Sequence, residues 1–201
     1  MAKLITAIAL LFTVNNAADV TAEPGPEPSP IEARQSHEAE WRAFLTHRRG
    51  IQKARLQAYI DHAEFPWNDD QPGLVNIFVD DAGVRCAMAN LVHQDGHRKL
   101  VKGIAAGDND YTFGEGVDGE LEQWLLTSGL TLEEAVFVQV PDMRIDPGWP
   151  DVVDLREMEI QRIQMHLSLA LMQLENTEQA NLDLAIDRLG DRVFEAPPSA
   201  G

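Results

Sequence analysis

Apolar residues recur at three- and four-residue steps over most of this chain, and that spacing predicts a mainly α protein. The first stripe runs through Trp41, Phe44, Leu45, Leu56, Tyr59 and Ile60. Its start is marked by Ser29 as the cap, Pro30 at the first helical position and Glu32 at the third, which completes a capping box. Gly50 falls in the middle of the stripe and predicts two helices or a single bent one. Phe65-Pro66-Trp67 closes the stretch, because the residue before a proline avoids helical geometry.

Leu74 to Val79 is short, branched and aromatic, and is bounded by Pro72-Gly73 and Asp81-Ala82-Gly83; it is the best strand candidate, with Val84-Arg85 placed to pair back across the turn. Met88, Leu91 and Val92 mark a helix that stops near Gly96, and Leu100, Val101 and Ile104 mark another. Residues 107–119 are rich in Gly and Asp and read as a loop. Leu121, Trp124 and Leu125 share a helical face that Gly129 is placed to end in a left-handed C-cap. Thr131 and Glu134 form a second capping box for a short helix reaching about Gln139.

Three prolines break the chain between Pro141 and Pro150. A long helix follows from about Val152 to Glu175, with a narrow heptad-like stripe of Ile160, Ile163, Leu167, Leu171 and Leu174. Such a stripe must be buried, so these five residues are expected to form an interaction surface, for the next helix or for a second chain. Asn176 to Gln179 offers a further capping box, and Leu182, Ala185, Ile186, Leu189 and Val193 line a last helix. The expected fold is a small helical domain with at most one short β-hairpin, followed by a C-terminal helical hairpin. The expected boundaries are 31–141 for the core domain, 142–150 for a proline-rich linker, 151–194 for the hairpin and 195–201 for a disordered tail.

The first thirty residues have another character. Lys3 precedes an apolar run from Leu4 to Val14 of about eleven residues, the length of a signal h-region. A membrane span needs roughly 20 apolar residues, and Asn15, Asn16 and Asp19 end the run short of that. Val20 and Ala22 fit the −3 and −1 positions of a cleavage site, so residues 1–22 read as a cleaved signal peptide and 23–30 as a stiff Pro/Glu spacer. The expected location is therefore exported, periplasmic or extracellular, with no membrane insertion after cleavage.

Composition narrows the partners. The formal net charge of −17 gives a surface that repels nucleic acid and anionic lipid. Cys86 is the single cysteine, which excludes an internal disulfide framework and suits a small buried side chain.

Candidate chemistry is sparse. His93-Gln94-Asp95-Gly96-His97 has the two-histidine spacing of a zinc protease helix, but Gln94 stands where the general base must be and Gly96 ends the helix too early. Asp108-Asn109-Asp110 begins like a calcium loop, yet the glycine comes one residue late and the closing glutamate is missing. Asp108, Asp110, Glu115 and Asp118 remain the residues that would gather a calcium ion; no other cofactor is predicted. Cys86 and His93 on one helix would lie about 10.5 Å apart along its axis, too far for a dyad.

One set of residues carries a resemblance: Tyr59-x5-Phe65-Pro66, Phe78-Val-Asp-x2-Gly83-x2-Cys86-Ala-Met-x2-Leu91, Asn109, and Trp124-x3-Ser-Gly-Leu-Thr-x2-Glu134-Ala-x3-Gln139. The pattern spans about residues 54–141 and resembles a group of uncharacterised exported bacterial proteins. That resemblance implies export and no particular activity. Two functional expectations stand beside each other. One is a non-enzymatic protein of the cell envelope or extracellular space that binds a protein partner, or itself, through its C-terminal helices. The other is a hydrolase with a site assembled from distant residues, with His62, Asp80 and Asp81 as candidates.

Overall fold

A computed structural model describes residues 29–68, 74, 76–143 and 154–198. The expected signal peptide, most of the spacer, Val75 of the strand candidate, the linker from residue 144 on and residues 199–201 of the tail lie outside them. The described chain is mainly helical, with no sheet. Its helices are α1 (Pro30–His62), α2 (Ala87–Gln94), α3 (Arg98–Gly107), α4 (Gly119–Ser128), α5 (Leu132–Val138), α6 (Leu155–Asn176) and α7 (Glu178–Asp187). Single 3-10 turns lie at Phe113–Glu115 and Gly190–Phe194.

Helix α1 is the axis of the molecule. Its capping box forms as expected, with the Ser29 hydroxyl accepting from the Glu32 N–H and the Glu32 carboxylate accepting from the Ser29 N–H. Gly50 does not divide it: one helix of 33 residues runs through this position. A glycine inside a helix costs about 1 kcal/mol against alanine. Tertiary bonds from Arg48, Arg49 and Gln52 offset that by fixing both sides of Gly50 to other elements. The stripe on α1 continues through Arg49 and Gln52, both fully buried, so two polar side chains occupy what the apolar pattern leaves as a gap.

Two apolar clusters sit against this axis. The larger joins Leu56 and Ile60 of α1 to Phe65, Phe78, Met88, Leu91, Val101, Trp124, Leu125 and Val138. Ile163, Leu167, Ala170 and Leu174 of α6 belong to the same cluster. The smaller joins Trp41 and Leu45 to Leu182, Ala185, Ile186, Leu189 and Val193. The C-terminal helices therefore cover the buried stripe of α1, α6 over its C-terminal half and α7 over its N-terminal half. Helix α6 packs on α1 and α5, and α7 with the last 3-10 turn packs on α1. The Trp41 indole N–H donates to the Glu195 carbonyl at 2.8 Å, which ties the start of the expected tail to α1. No capping box forms at Asn176, because α6 runs through that residue; Thr177 alone separates α6 from α7 and makes no side-chain cap.

The strand candidate reduces to isolated bridges, Leu74 with Met143 and Val79 with Arg85. Residues 79 and 85 do pair back across a turn whose Gly83 has φ of +83°. Asn109 takes the place of a further strand. Its side-chain oxygen accepts from the Val79 N–H, its amide donates to the Val79 carbonyl, and its own carbonyl accepts from the Phe78 N–H.

Candidate interaction surface

Buried charge in this molecule is committed to the fold. Asp95, at the C-terminal end of α2, accepts hydrogen bonds from Arg48, Gln52 and Arg55 of α1 and from the Trp124 indole of α4. Burial pushes its carboxyl up, but the bonds from Arg55, Arg48 and Trp124 outweigh burial and hold it below the ordinary value. Arg49, fully buried, meets Glu134 in a two-pronged ion pair and also donates to the carbonyls of Gly129 and Leu174. Glu134 accepts from Asn181 as well, and closes the Thr131 capping box expected from the sequence. One guanidinium thus fastens α1 to the α4–α5 corner and to the end of α6. Neither Arg49 nor Asp95 stands out in the sequence as a candidate; the available signal is the polar interruption of the α1 stripe at positions 49 and 52.

The residues that carry the sequence resemblance have equally structural duties. The Tyr59 hydroxyl donates to the Arg85 carbonyl at 2.7 Å, and Cys86 caps α2 by accepting from the Ala89 N–H. Burial pushes the Cys86 thiol up to about 11, so it stays protonated and unreactive near neutral pH. The Gln139 side chain receives the Phe113 N–H and donates to the Tyr111 carbonyl, which holds the 107–119 loop.

The candidate catalytic and metal residues do not converge. Asp80 and Asp81 line a cleft of about 630 Å³ together with Trp67, Asn109, Asp110 and Arg156. No histidine lines it; His62 is exposed and faces Glu64 at 2.9 Å. The Asp80 carboxylate already accepts from the backbone N–H groups of Trp67 and Val84. In the acidic loop, Glu115 accepts from the Thr112 hydroxyl and Asp118 sits at the N-terminus of α4. Among the described residues no three His, Cys, Asp or Glu side chains, Asp108 and Asp110 included, are grouped to hold a metal ion. His93 ends up on α2 and His97 ahead of α3, where it faces Glu120 at 2.8 Å, so the two histidines do not share a helix.

The stripe expected to be an interaction surface is turned inward. Ile163, Leu167 and Leu174 are buried in the main cluster, and Ile160 and Leu171 pack against it. Their cover is α1 and α5 in place of the following helix or a second chain. The apolar residues that α6 leaves in solvent lie on its other face, at Met165, Leu169 and Met172, which are 65%, 53% and 56% exposed. Their four- and three-residue spacing puts them in one row. Met158 and Pro141 extend the row into a groove of about 450 Å³. Phe137 of α5 borders it, its ring 5.4 Å from that of His166, whose Nε2 meets the Phe137 carbonyl. Exposed Glu133, Glu157 and Glu175 are carried by α5 and α6. The Glu157 carboxylate accepts from Gln161 of the groove, and Arg162, which also lines it, is held by Glu159 and the Pro141 carbonyl.

Among the described residues no helix is long and apolar enough to cross a membrane. Compared with protein-family models, with curated proteins and with solved structures, the chain matches none.

Proposed function

We propose that this protein is exported and acts without catalysis, by holding a cationic amphipathic helix of a partner protein on the outer face of α6. The observation that carries the reading is the exposed row of Met165, Leu169 and Met172. A contiguous apolar face left in water marks a binding surface more often than chance exposure does. Methionine suits it, because its unbranched thioether adapts to varied partner side chains. The formal charge of −17 selects the occupant. A second copy would bring like charge to the contact, whereas a helix with Lys or Arg beside its apolar stripe would meet a strongly acidic chain and, at the groove, Glu157, while Arg162 there is already neutralised by Glu159. The hydrolase reading has less support, since His62 lies apart from the cleft that Asp80 and Asp81 line. Export rests on the signal pattern of residues 1–22, and the purified extracytoplasmic form is expected to begin at Glu23; N-terminal sequencing that finds Met1 would refute this part.

The binding part is tested with a synthetic amphipathic helix of leucine and lysine, titrated against the wild type and against M165Q/L169Q/M172Q. The substitutions change no charge and touch exposed positions, so helicity by circular dichroism should hold. Affinity is expected to fall by at least about tenfold, because each desolvated Leu or Met contributes about 1.5–3 kcal/mol when fully buried. Equal binding by the variant, or binding that vanishes completely in moderate salt, would mean that charge alone attracts the peptide. A wild-type dimer that the same variant dissociates would assign the face to a second copy and overturn the proposal.

A further inference from the structure

A different part of the surface reverses the sign of the protein. Between α2, α3 and the 79–85 turn lies a cleft of about 300 Å³. Its floor is apolar, from Val79, Val101 and Ala105, with Val101 buried in the main cluster. Its rim carries Arg85, His93, Arg98 and Lys102, and no carboxylate lines it. In a chain with 33 acidic and 16 basic residues such a grouping is unexpected. On α1 five of the six Lys and Arg side chains are answered by acids, Arg42 by Asp183, Arg48 and Arg55 by Asp95, Arg49 by Glu134, and Lys53 by Glu178, while Arg34 lies over the Phe194 ring. Arg85, Arg98 and Lys102 form no ion pair among the described residues, and Arg85 spends one N–H on the Gly83 carbonyl. His93 feels the same field: burial first, then Arg85 and Arg98, lower its affinity for a proton.

We propose that this cleft binds a small amphiphilic anion, a carboxylate or sulfonate carried on a compact apolar body. The two halves of the site ask for the two halves of such a ligand. The apolar floor gains from covering a hydrocarbon or aromatic body, which a simple inorganic anion lacks. The guanidinium groups of Arg85 and Arg98 present planar pairs of donors that match two oxygens of one acid group, and Lys102 adds a point charge one helical turn from Arg98. The volume stands at the lower end for ligand pockets and selects a ligand of one or two rings or a short chain over a long-chain lipid. The overall charge of −17 then acts as a filter, repelling polyanions while the local rim holds a single negative charge.

The probe is naphthalene-2-sulfonate, titrated into the protein by calorimetry and followed by amide NMR. Saturable one-to-one binding is expected, with shifts centred on Val79, Arg85, His93, Val101 and Lys102. Arg98 and Lys102 are exposed, so R98Q/K102Q should keep the fold. Its affinity should drop by about tenfold or more, given the usual worth of hydrogen bonds to charged groups. Neutral 2-naphthol and inorganic sulfate should each bind at least about tenfold more weakly than the sulfonate, one lacking the charge and the other the apolar body. Undiminished binding by R98Q/K102Q, sulfate binding as tight as the sulfonate, or shifts confined to Met165, Leu169 and Met172 would each overturn the assignment.

Discussion

Arg49→Met is expected to destabilise the protein by about 3–5 kcal/mol, the usual cost of removing one partner of a buried ion pair. The arginine is fully buried and Glu134 is 2% exposed, so no water can replace the guanidinium. The carbonyls of Gly129 and Leu174 lose their donor in the same step. The pH dependence contributed by Glu134 should weaken. In the wild type, burial pushes the Glu134 carboxyl up, but bonds from Arg49 and the Thr131 backbone outweigh it and hold it low. A depressed folded pKa gives stability that is present above the ordinary glutamate value and is lost as pH falls through the folded one. Without Arg49 burial is opposed only by the bonds from the Thr131 backbone and Asn181, so the carboxyl moves up and Glu134 contributes less of the stability that the wild type has above the ordinary glutamate value. Urea unfolding at pH 4 and pH 7 reads this directly: the variant's deficit should be larger at pH 7. Adding Glu134→Gln should recover part of it there, since no carboxylate is left to strand. A deficit under about 1 kcal/mol, or one independent of pH, would show that the pair is not what fastens α1.

The second large effect is expected at Gly129. Its φ of +80° is one that residues with a side chain adopt at a cost of about 1–2 kcal/mol. A Cβ there would also lie 2.4 Å from the Leu45 carbonyl oxygen and 2.6 Å from the Arg49 nitrogen. Both are backbone atoms of α1, so no rotamer change relieves the clash. The α4–α5 corner must retreat, which stretches the 2.9 Å bond from Arg49 to the Gly129 carbonyl. Overpacking of this kind adds about 1–3 kcal/mol, so Gly129→Ala should cost about 4 kcal/mol in total. Gly190→Ala is the matched control. Its φ is +54° and its added Cβ meets open space, so only the backbone cost should appear. Similar losses at the two positions in chemical unfolding would argue that packing against α1 contributes little.

The features legible in the sequence are those set by neighbours along the chain. The boxes at Ser29/Glu32 and Thr131/Glu134 and the left-handed cap at Gly129 all depend on residues within one turn. The helical class follows from the three-and-four spacing, and the return of Arg85 onto Val79 follows from the turn around Gly83. What was not legible depends on distant partners. Gly50 reads as a break or a bend because its own preference opposes a helix, and the bonds at Arg48, Arg49 and Gln52 help to hold one helix through it. The α6 stripe states that Ile163 and Leu167 must be covered but not by what; the cover comes from α1, about a hundred residues earlier. The row at Met165, Leu169 and Met172 was hidden by the stronger stripe behind it, since a helix apolar on two faces shows little contrast between them.

The carboxamide of Asn109 has a consequence for how this protein meets others of its kind. A short extended segment with unanswered peptide groups is a template on which another chain can grow a strand. Here Phe78 and Val79 have none to offer. The Phe78 carbonyl is taken by the Cys86 N–H and its N–H by the Asn109 carbonyl, while the Asn109 side chain takes both groups of Val79. A single residue thereby does the work of a neighbouring strand, and the peptide groups of Phe78 and Val79 are closed to recruitment into intermolecular sheets.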